Sequence, residues 1–360
     1  GTLTIAANGT LSAPRGNLVI TGGAHSFADS GTFTHNSGTV VFDGTGDNTY
    51  INSSATANTV FFNLTPQVQD GYHVTIYRDT TVEGTLLLAS GRHFKMDNGS
   101  RNITLTMGTA TTAGTISIAT ANSFDPVGNG TYKNTITGVS SLYPCVVSGI
   151  DNGIDWDNSG ETGAVLEFGN MDFQIDCTTG GGDVDIKLIG DCEFDAVLVS
   201  SNDTLDLNGN LARFSGLLQI NPDNGLKNTT DGSTQAASTL IFCNGITYGG
   251  GTQHTSLSNV TLMAEGGSSQ YHVQPFKFGR FVSIRDGNID FGRYGPDLAT
   301  MDIIAANDGN LSNWGKSGSV SNANSMNNLT IATGTTAVPE SATLTVAGDF
   351  TTSGGLIGKS

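Results

Sequence analysis

Residues 151–163 read DNGIDWDNSGETG, and their spacing is that of a metal loop. Asp155, Asp157 and Ser159 alternate and Gly160 follows, the D-x-D-x-S-G order that opens a calcium loop. Alternate positions offer oxygens to a hard cation, and the glycine lets the chain turn sharply around it. Asp151 in the preceding turn and Glu161 inside the loop add carboxylates. Asp151, Asp155, Asp157, Ser159 and Glu161 are therefore the candidate calcium ligands, and calcium is the one candidate cofactor. The position at which a bidentate glutamate would close the loop is Leu166, with Glu167 one residue further on. The same run also reads as a solvated, Asx-rich turn. Calcium here would pin a long loop and have a structural role.

Two other acidic sets could do chemistry. Asp183 and Asp185 alternate in GGGDVDIKLIG, and Asp191, Glu193 and Asp195 alternate in DCEFDAVLV. In a strand the last three share one face, with Cys192 and Phe194 on the other. Paired carboxylates are what glycoside hydrolysis requires. Acids along one strand face also make a solvated edge that discourages aggregation, and that is the reading carried forward. No catalytic residue is assigned, and the chain is read as a non-enzyme. His25, His35, His73, His93, His254 and His272 are not paired at metal spacing. No G-x-S-x-G, H-E-x-x-H or phosphate-loop lysine occurs.

The aromatic runs YHVQPFKFGRF (271–281) and FGRYGPD (291–297) stand out in a chain that is 8% aromatic. Tyr271, Phe276, Phe278, Phe281 and Tyr294 are candidate carbohydrate or subunit contacts, since such rings offer apolar area and a polar tip. Alternation of Phe276 and Phe278 suits core packing equally well. Cys145, Cys177, Cys192 and Cys243 are even in number but contain no CxxC and match no zinc module. Buried thiols are the favoured reading.

These residues need elements to hold them. Strand signals dominate: GTVVF, HVTIY, GTLLL, NITLTM, GTISI and STLIF are short β-branched or aliphatic runs bounded by Gly, Asn or Asp. No stretch keeps a helical period. Asn-Gly and Asp-Gly pairs recur and favour tight turns, either hairpins or the corners of a solenoid. Asn63, Gly71, Gly84 and Gly91 recur in order as Asn259, Gly266, Gly279 and Gly287, and as Asn328, Gly334, Gly348 and Gly355. Degenerate repetition of this kind marks folds in which each unit buries its apolar face only against a neighbour.

Of 360 residues, 49 are Gly and 13% are charged, about half the usual charged share. The 32 acids outweigh 15 Lys and Arg, a net charge of −17 that argues against nucleic-acid partners and anionic membranes. No apolar run approaches the roughly 20 residues of a membrane helix, and the opening residues do not read as a signal peptide. The chain opens and ends inside strand-like patterns, so a processed product or an ordered segment of a longer repetitive chain is expected.

The runs GTFTHNSGTVVFDGTG, TVFFNLT and VTIYRDTTVEGTLLLASG resemble repeats of large secreted or virion-associated β-solenoid proteins, with DTLDLNGN (203–210) as a further rung. Phage tail-fibre or spike-like proteins and bacterial adhesins belong to this class. The resemblance covers 30–120 and 236–360 and implies an extracellular, cell-surface or virion location, often in an oligomer. It carries no active site. The fold expected is all-β, a parallel β-helix or solenoid with an irregular insertion, the alternative being tandem β-sandwich modules. Repeats are expected over 1–119 and 236–360, with the irregular acidic segment over 120–235. The function expected is that of a self-assembling, non-catalytic component of an extracellular fibre or phage appendage, its partners being copies of itself. A carbohydrate-binding adhesin that contacts cell-surface glycans is the alternative, and a polysaccharide depolymerase comes third.

Overall fold

The computed structural model describes residues 2–22, 25–44, 46–52, 58–69, 71–88, 93–96, 102–119, 124–126, 133–149, 154–155, 162–178, 183–199, 203–221, 225–228, 237–243, 246–248, 256–264, 270–272, 277–283, 287–290, 302–305, 311–315, 325–326, 329–331, 336–339, 345–346, 348–353 and 355–356. Among them there is no helix, and the strands run from β1 to β43 in chain order. The chain forms two compact units, Gly1–Cys192 with Ser200–Asp203, and Glu193–Val199 with Thr204–Ser360.

In the first unit the chain visits three ladders in turn. The first ladder stacks β1 (Thr2–Ile5), β4 (His25–Asp29), β7 (Thr49–Ile51), β10 (His73–Ile76), β13 (His93–Met96) and β16 (Phe124–Asp125). β2 (Thr10–Ser12) and β5 (Thr32–Thr34) pair in a two-stranded sheet of their own. The second ladder stacks β8 (Thr59–Phe61), β11 (Thr80–Val82), β14 (Ile103–Met107), β17 (Lys133–Gly138), β20 (Thr162–Gly169) and β23 (Asp183–Leu188). The third stacks β3 (Asn17–Gly22), β6 (Thr39–Gly44), β9 (Asn63–Pro66), β12 (Thr85–Leu88), β15 (Thr115–Ile118), β18 (Cys145–Gly149) and β21 (Met171–Phe173). Strands that neighbour in a ladder run parallel, as Asn17 opposite Thr39 and Thr39 opposite Asn63 show. This is a parallel β-solenoid. Tandem sandwiches would need antiparallel hairpins; the isolated antiparallel bridges, Thr109–Thr112 and Ser140–Tyr143, each lie within one turn.

Alternation sends one set of side chains inward. Phe27 from the first ladder, Phe61 from the second and Phe42 from the third are fully buried. Phe27 meets Phe61 at 5.4 Å and Phe42 at 6.4 Å between ring centres. Each such ring contributes about 1.5–3 kcal/mol when removed from water. Further along the stack Ile76, Val82 and Leu86, all buried, continue the core. In 133–192, strands β17, β18, β20, β21 and β23 extend the second and third ladders, and Leu166, Phe168, Ile186 and Leu188 join the buried set.

The second unit uses the same construction. Its longest ladder includes β27 (Leu211–Phe214), β30 (Ser238–Phe242), β32 (Ser256–Ala264), β34 (Lys277–Ser283), β36 (Asp302–Ala305), β39 (Leu329–Ile331) and β42 (Phe350–Thr352). Phe194 stacks on Phe214 at 5.1 Å, Phe242 is buried opposite Phe214, and Leu262 is buried opposite Leu240. The recurring Asn-Leu/Val-Thr triplets have a structural meaning. Leu64 in the first unit, and Val260 and Leu329 in the second, are each buried residues of the unit's longest ladder.

Candidate functional site

Of the candidate calcium ligands, Asp155 lies in β19 (Ile154–Asp155), opposite Thr178 of β22 (Cys177–Thr178). Asp151, Asp157, Ser159 and Glu161 lie outside the described residues. Glu167, the neighbouring acid, is occupied elsewhere. It sits in β20, 9% exposed, accepting from Lys133 Nζ at 2.7 Å and from Thr135 Oγ1 at 3.1 Å. Among the described residues no group of three His, Cys, Asp or Glu is placed to hold a metal.

The alternation read for the second acidic set holds in β24 (Cys192–Phe194), where Cys192 and Phe194 are buried and Glu193 is half-exposed. Glu193 pairs with Arg213, and Asp195 accepts from Ser215 Oγ at 3.1 Å. Asp185 is half-exposed beside the buried Ile186 and lies opposite Val165. Glu193 thus has a cationic partner and Asp195 a hydroxyl one.

The aromatic candidates are placed only by their backbone. Tyr271 lies in β33 (Gln270–His272) opposite Ile289, while Phe278 and Phe281 lie in β34 opposite Leu257 and Leu262. Phe276 and Tyr294 fall outside the described residues.

All four cysteines are free thiols; Cys145, Cys177 and Cys192 are buried and Cys243 is half-exposed. Burial pushes the Cys192 thiol up to about 12, opposed by a backbone hydrogen bond at Met171. Burial raises Cys145 further still. Cys243 differs in accepting a contact from Arg213 Nη2 at 3.4 Å.

Several polar groups have no sequence-level signal. Glu83 lies 3.2 Å from His35 Nε2, and the imidazole stacks on Phe62 at 5.8 Å. Ser37 N–H donates to His35 Nδ1, which leaves Nε2–H to face the carboxylate. At another corner Asn52, with φ of 60°, accepts from Asp29 N–H at 2.9 Å and donates to Thr59 Oγ1 at 2.8 Å. Thr59 in turn donates to Asp29 Oδ2 at 3.1 Å, closing a buried ring of three residues through the Asp29 backbone N–H. Asx side chains also bridge rungs: Asn48, Asn63, Asp79 and Asn102 accept from the backbone N–H of His73, Thr85, Thr104 and Lys133.

One outward column of the first ladder runs Tyr50, Thr75, Lys95, Asp125. Lys95 Nζ stands 3.2 Å from Asp125 Oδ2, and Tyr50 meets Tyr77 at 5.7 Å. Thr75 Oγ1 and Asp125 Oδ1 are enclosed without a hydrogen-bond partner. Because those atoms are closed to solvent, the column is a packed ion pair and not an open cleft. Between rungs the described residues place ion pairs such as Lys133–Glu167 and Asx side chains that accept from the next rung's backbone. No family model, curated protein or solved structure matches the chain.

Proposed function

We propose that the chain is a structural, self-assembling and non-catalytic component of an extracellular fibre or phage virion appendage. The observation that supports this most is the rung-to-rung construction of each unit: parallel ladders over a stacked apolar core, tied by Asx side chains. In such a fold each rung is stabilised by the next, so length is added without a new core design. Of the acids that could pair for hydrolysis, Glu193 meets Arg213 and Asp195 meets Ser215. Thr, Asn and Gly supply strands and corners with little charge, which suits a passive, solvent-exposed scaffold.

Immunogold electron microscopy with an antibody to the chain tests the location. Labelling of filamentous appendages on the particle or cell that carries it is the expected result, and label confined to the cytoplasm sinks the reading. The non-catalytic part is tested by incubating the purified chain with surface polysaccharide from that source. Release of new reducing ends would overturn it. In this reading calcium, if bound by Asp151, Asp155, Asp157, Ser159 and Glu161, orders one loop. A melting temperature that responds neither to excess calcium nor to chelator removes calcium from the account.

A further inference from the structure

We propose that Asp29, Asn52 and Thr59 form a self-modifying site, at which the Thr59 hydroxyl esterifies the Asn52 side chain and releases ammonia. This goes beyond the scaffold reading and does not depend on where the chain is displayed.

The three residues meet where the first ladder hands the chain to the second. Asp29 ends β4, Asn52 follows β7, and Thr59 opens β8. Asp29 is 3% exposed, Asn52 1% and Thr59 1%, and nearby in the chain Ile51 and Phe61 are fully buried. Among the described residues no cation pairs with the Asp29 carboxylate. Its Oδ1 accepts from Gly31 N–H at 3.1 Å, and its Oδ2 accepts from Thr59. A carboxylate enclosed without a cation is costly to the fold. Thr80, directly opposite Thr59 in the next rung, shows a simpler use of a corner threonine, since its hydroxyl donates to the Arg78 carbonyl at 2.9 Å. Thr59 gives its proton to the buried carboxylate instead.

Each part of an acyl substitution is in place. Thr59 Oγ1 is the nucleophile, and Asp29 Oδ2, 3.1 Å away, is the base that takes its proton. The Asn52 carboxamide is the acyl group. Its nitrogen lies 2.8 Å from Oγ1, so the amide carbon is the next atom along. Its oxygen accepts from Asp29 N–H at 2.9 Å, a donor already aimed at the atom on which negative charge develops. Rotation of the carboxamide about Cβ–Cγ turns its carbonyl face to Oγ1. The new bond joins Thr59 Oγ1 to Asn52 Cγ. As the tetrahedral intermediate collapses, the Cγ–Nδ2 bond breaks, Asp29 returns the proton to nitrogen, and ammonia leaves. Hydroxyl and amide become ester and ammonia, with no oxidant, reductant or cofactor consumed. The event happens once and alters only the chain itself, so it involves no turnover. Holding the three groups together supplies the proximity that a hydroxyl and an amide lack in water. Burial then keeps water from the ester. The product is a covalent corner between the first and second ladders.

Intact mass spectrometry of the full chain, denatured after folding, tests this. The expected mass is one ammonia below that of the sequence. The tryptic peptide 16–78 holds both residues and is expected to release no backbone fragments between them until hydroxylamine opens the ester. Thr59→Val and Asp29→Asn are expected to run at their full sequence masses, while Thr59→Ser, which keeps a hydroxyl, retains the link. A wild type at its full sequence mass overturns the proposal, and that reading needs no variant to fold. So does a loss of ammonia that persists in Thr59→Val, or one that leaves 52 and 59 unlinked, because an imide formed at an asparagine gives the same mass. Appendage labelling by antibody would be unaffected by such a failure, which would then fall on this site alone.

Discussion

Asn52 shows how much one side chain can carry in a solenoid corner. Its backbone is left-handed, its oxygen takes the Asp29 N–H, and its amide serves Thr59. Asn52→Ala forces a Cβ-bearing residue without compensating hydrogen bonds into that conformation, about 1–2 kcal/mol. It also leaves buried donors and acceptors unpaired, about 1–3 kcal/mol each. Asn52→Gly removes only the second group of interactions. The urea midpoint of the first unit should therefore fall for both, with Ala worse than Gly by about 1 kcal/mol. Equal loss in the two would show that backbone strain is not a factor. The buried thiols give a pH prediction. Cys192 titrates at about 12 in the fold against 9.0 ordinarily, and Cys145 is raised in the same direction. Between about pH 9 and the folded values the unfolded chain has lost these protons while the native chain keeps them. Stability then falls as pH rises, by about 1.4 kcal/mol per pH unit for each thiol. The double variant Cys145→Ala/Cys192→Ala should show a shallower decline above pH 9 than wild type. Parallel stability–pH curves would refute the assignment.

At the scale of the element, tight stacking of one rung on the next decides which residues are tolerated. A Cβ on Gly31 would strike the carbonyl oxygens of Ala6 and Gly9 in the rung beneath. Gly46 has φ of 86° but open space around it. Gly31→Ala should cost about 3 kcal/mol, as backbone against backbone cannot yield, and Gly46→Ala about 1–2 kcal/mol from conformation alone. Thermal melts of the two variants rank them, and a reversed order would contradict the register of β4 on β1. The strands themselves were legible, because alternation such as Ile103, Leu105 and Met107 inward needs only local pattern. The Asn-Leu/Val-Thr echo points to buried ladder residues, although Leu329 aligns with Leu262 and so stands two positions from Val260 in register. Rung length was not legible. Side-chain bridges join residues 22 to 25 apart in the early rungs, 31 to 34 apart around Lys133 and 19 or 20 apart near Arg213. Turns such as 108–114 and 138–145 absorb the difference, so no fixed period survives in the chain. Without the period, the meeting of His35 with Glu83, or of Asp29 with Asn52 and Thr59, has no sequence signature. The calcium motif was local and thus easy to see, yet of its ligands only Asp155 falls on a described strand.

For the whole molecule the dominant fact is the imbalance of 32 acids against 15 Lys and Arg. Even if every cation met an acid, most remaining carboxylates would repel one another through water. The pairs seen are of two kinds. Lys133–Glu167 and Lys95–Asp125 place a nearly buried carboxylate against a partly exposed ammonium, whereas Arg213–Glu193 is open on both sides. Salt screens exposed charges separated by more than about 8–10 Å and acts much less on enclosed pairs. Added salt therefore weakens the general repulsion while leaving the interior pairs largely intact. Its net effect should be stabilising, against the ordinary expectation that salt weakens a protein held by ion pairs. Melting the chain in rising sodium chloride should raise the transition by several degrees, with most of the gain below about 0.15 M, where the Debye length has already fallen to about 8 Å. Lys133→Met should lower the transition at every salt concentration, since it strands Glu167 in a site that is 11% exposed at the side chain. A transition that falls with salt would mean that specific ion pairs outweigh the uncompensated acids.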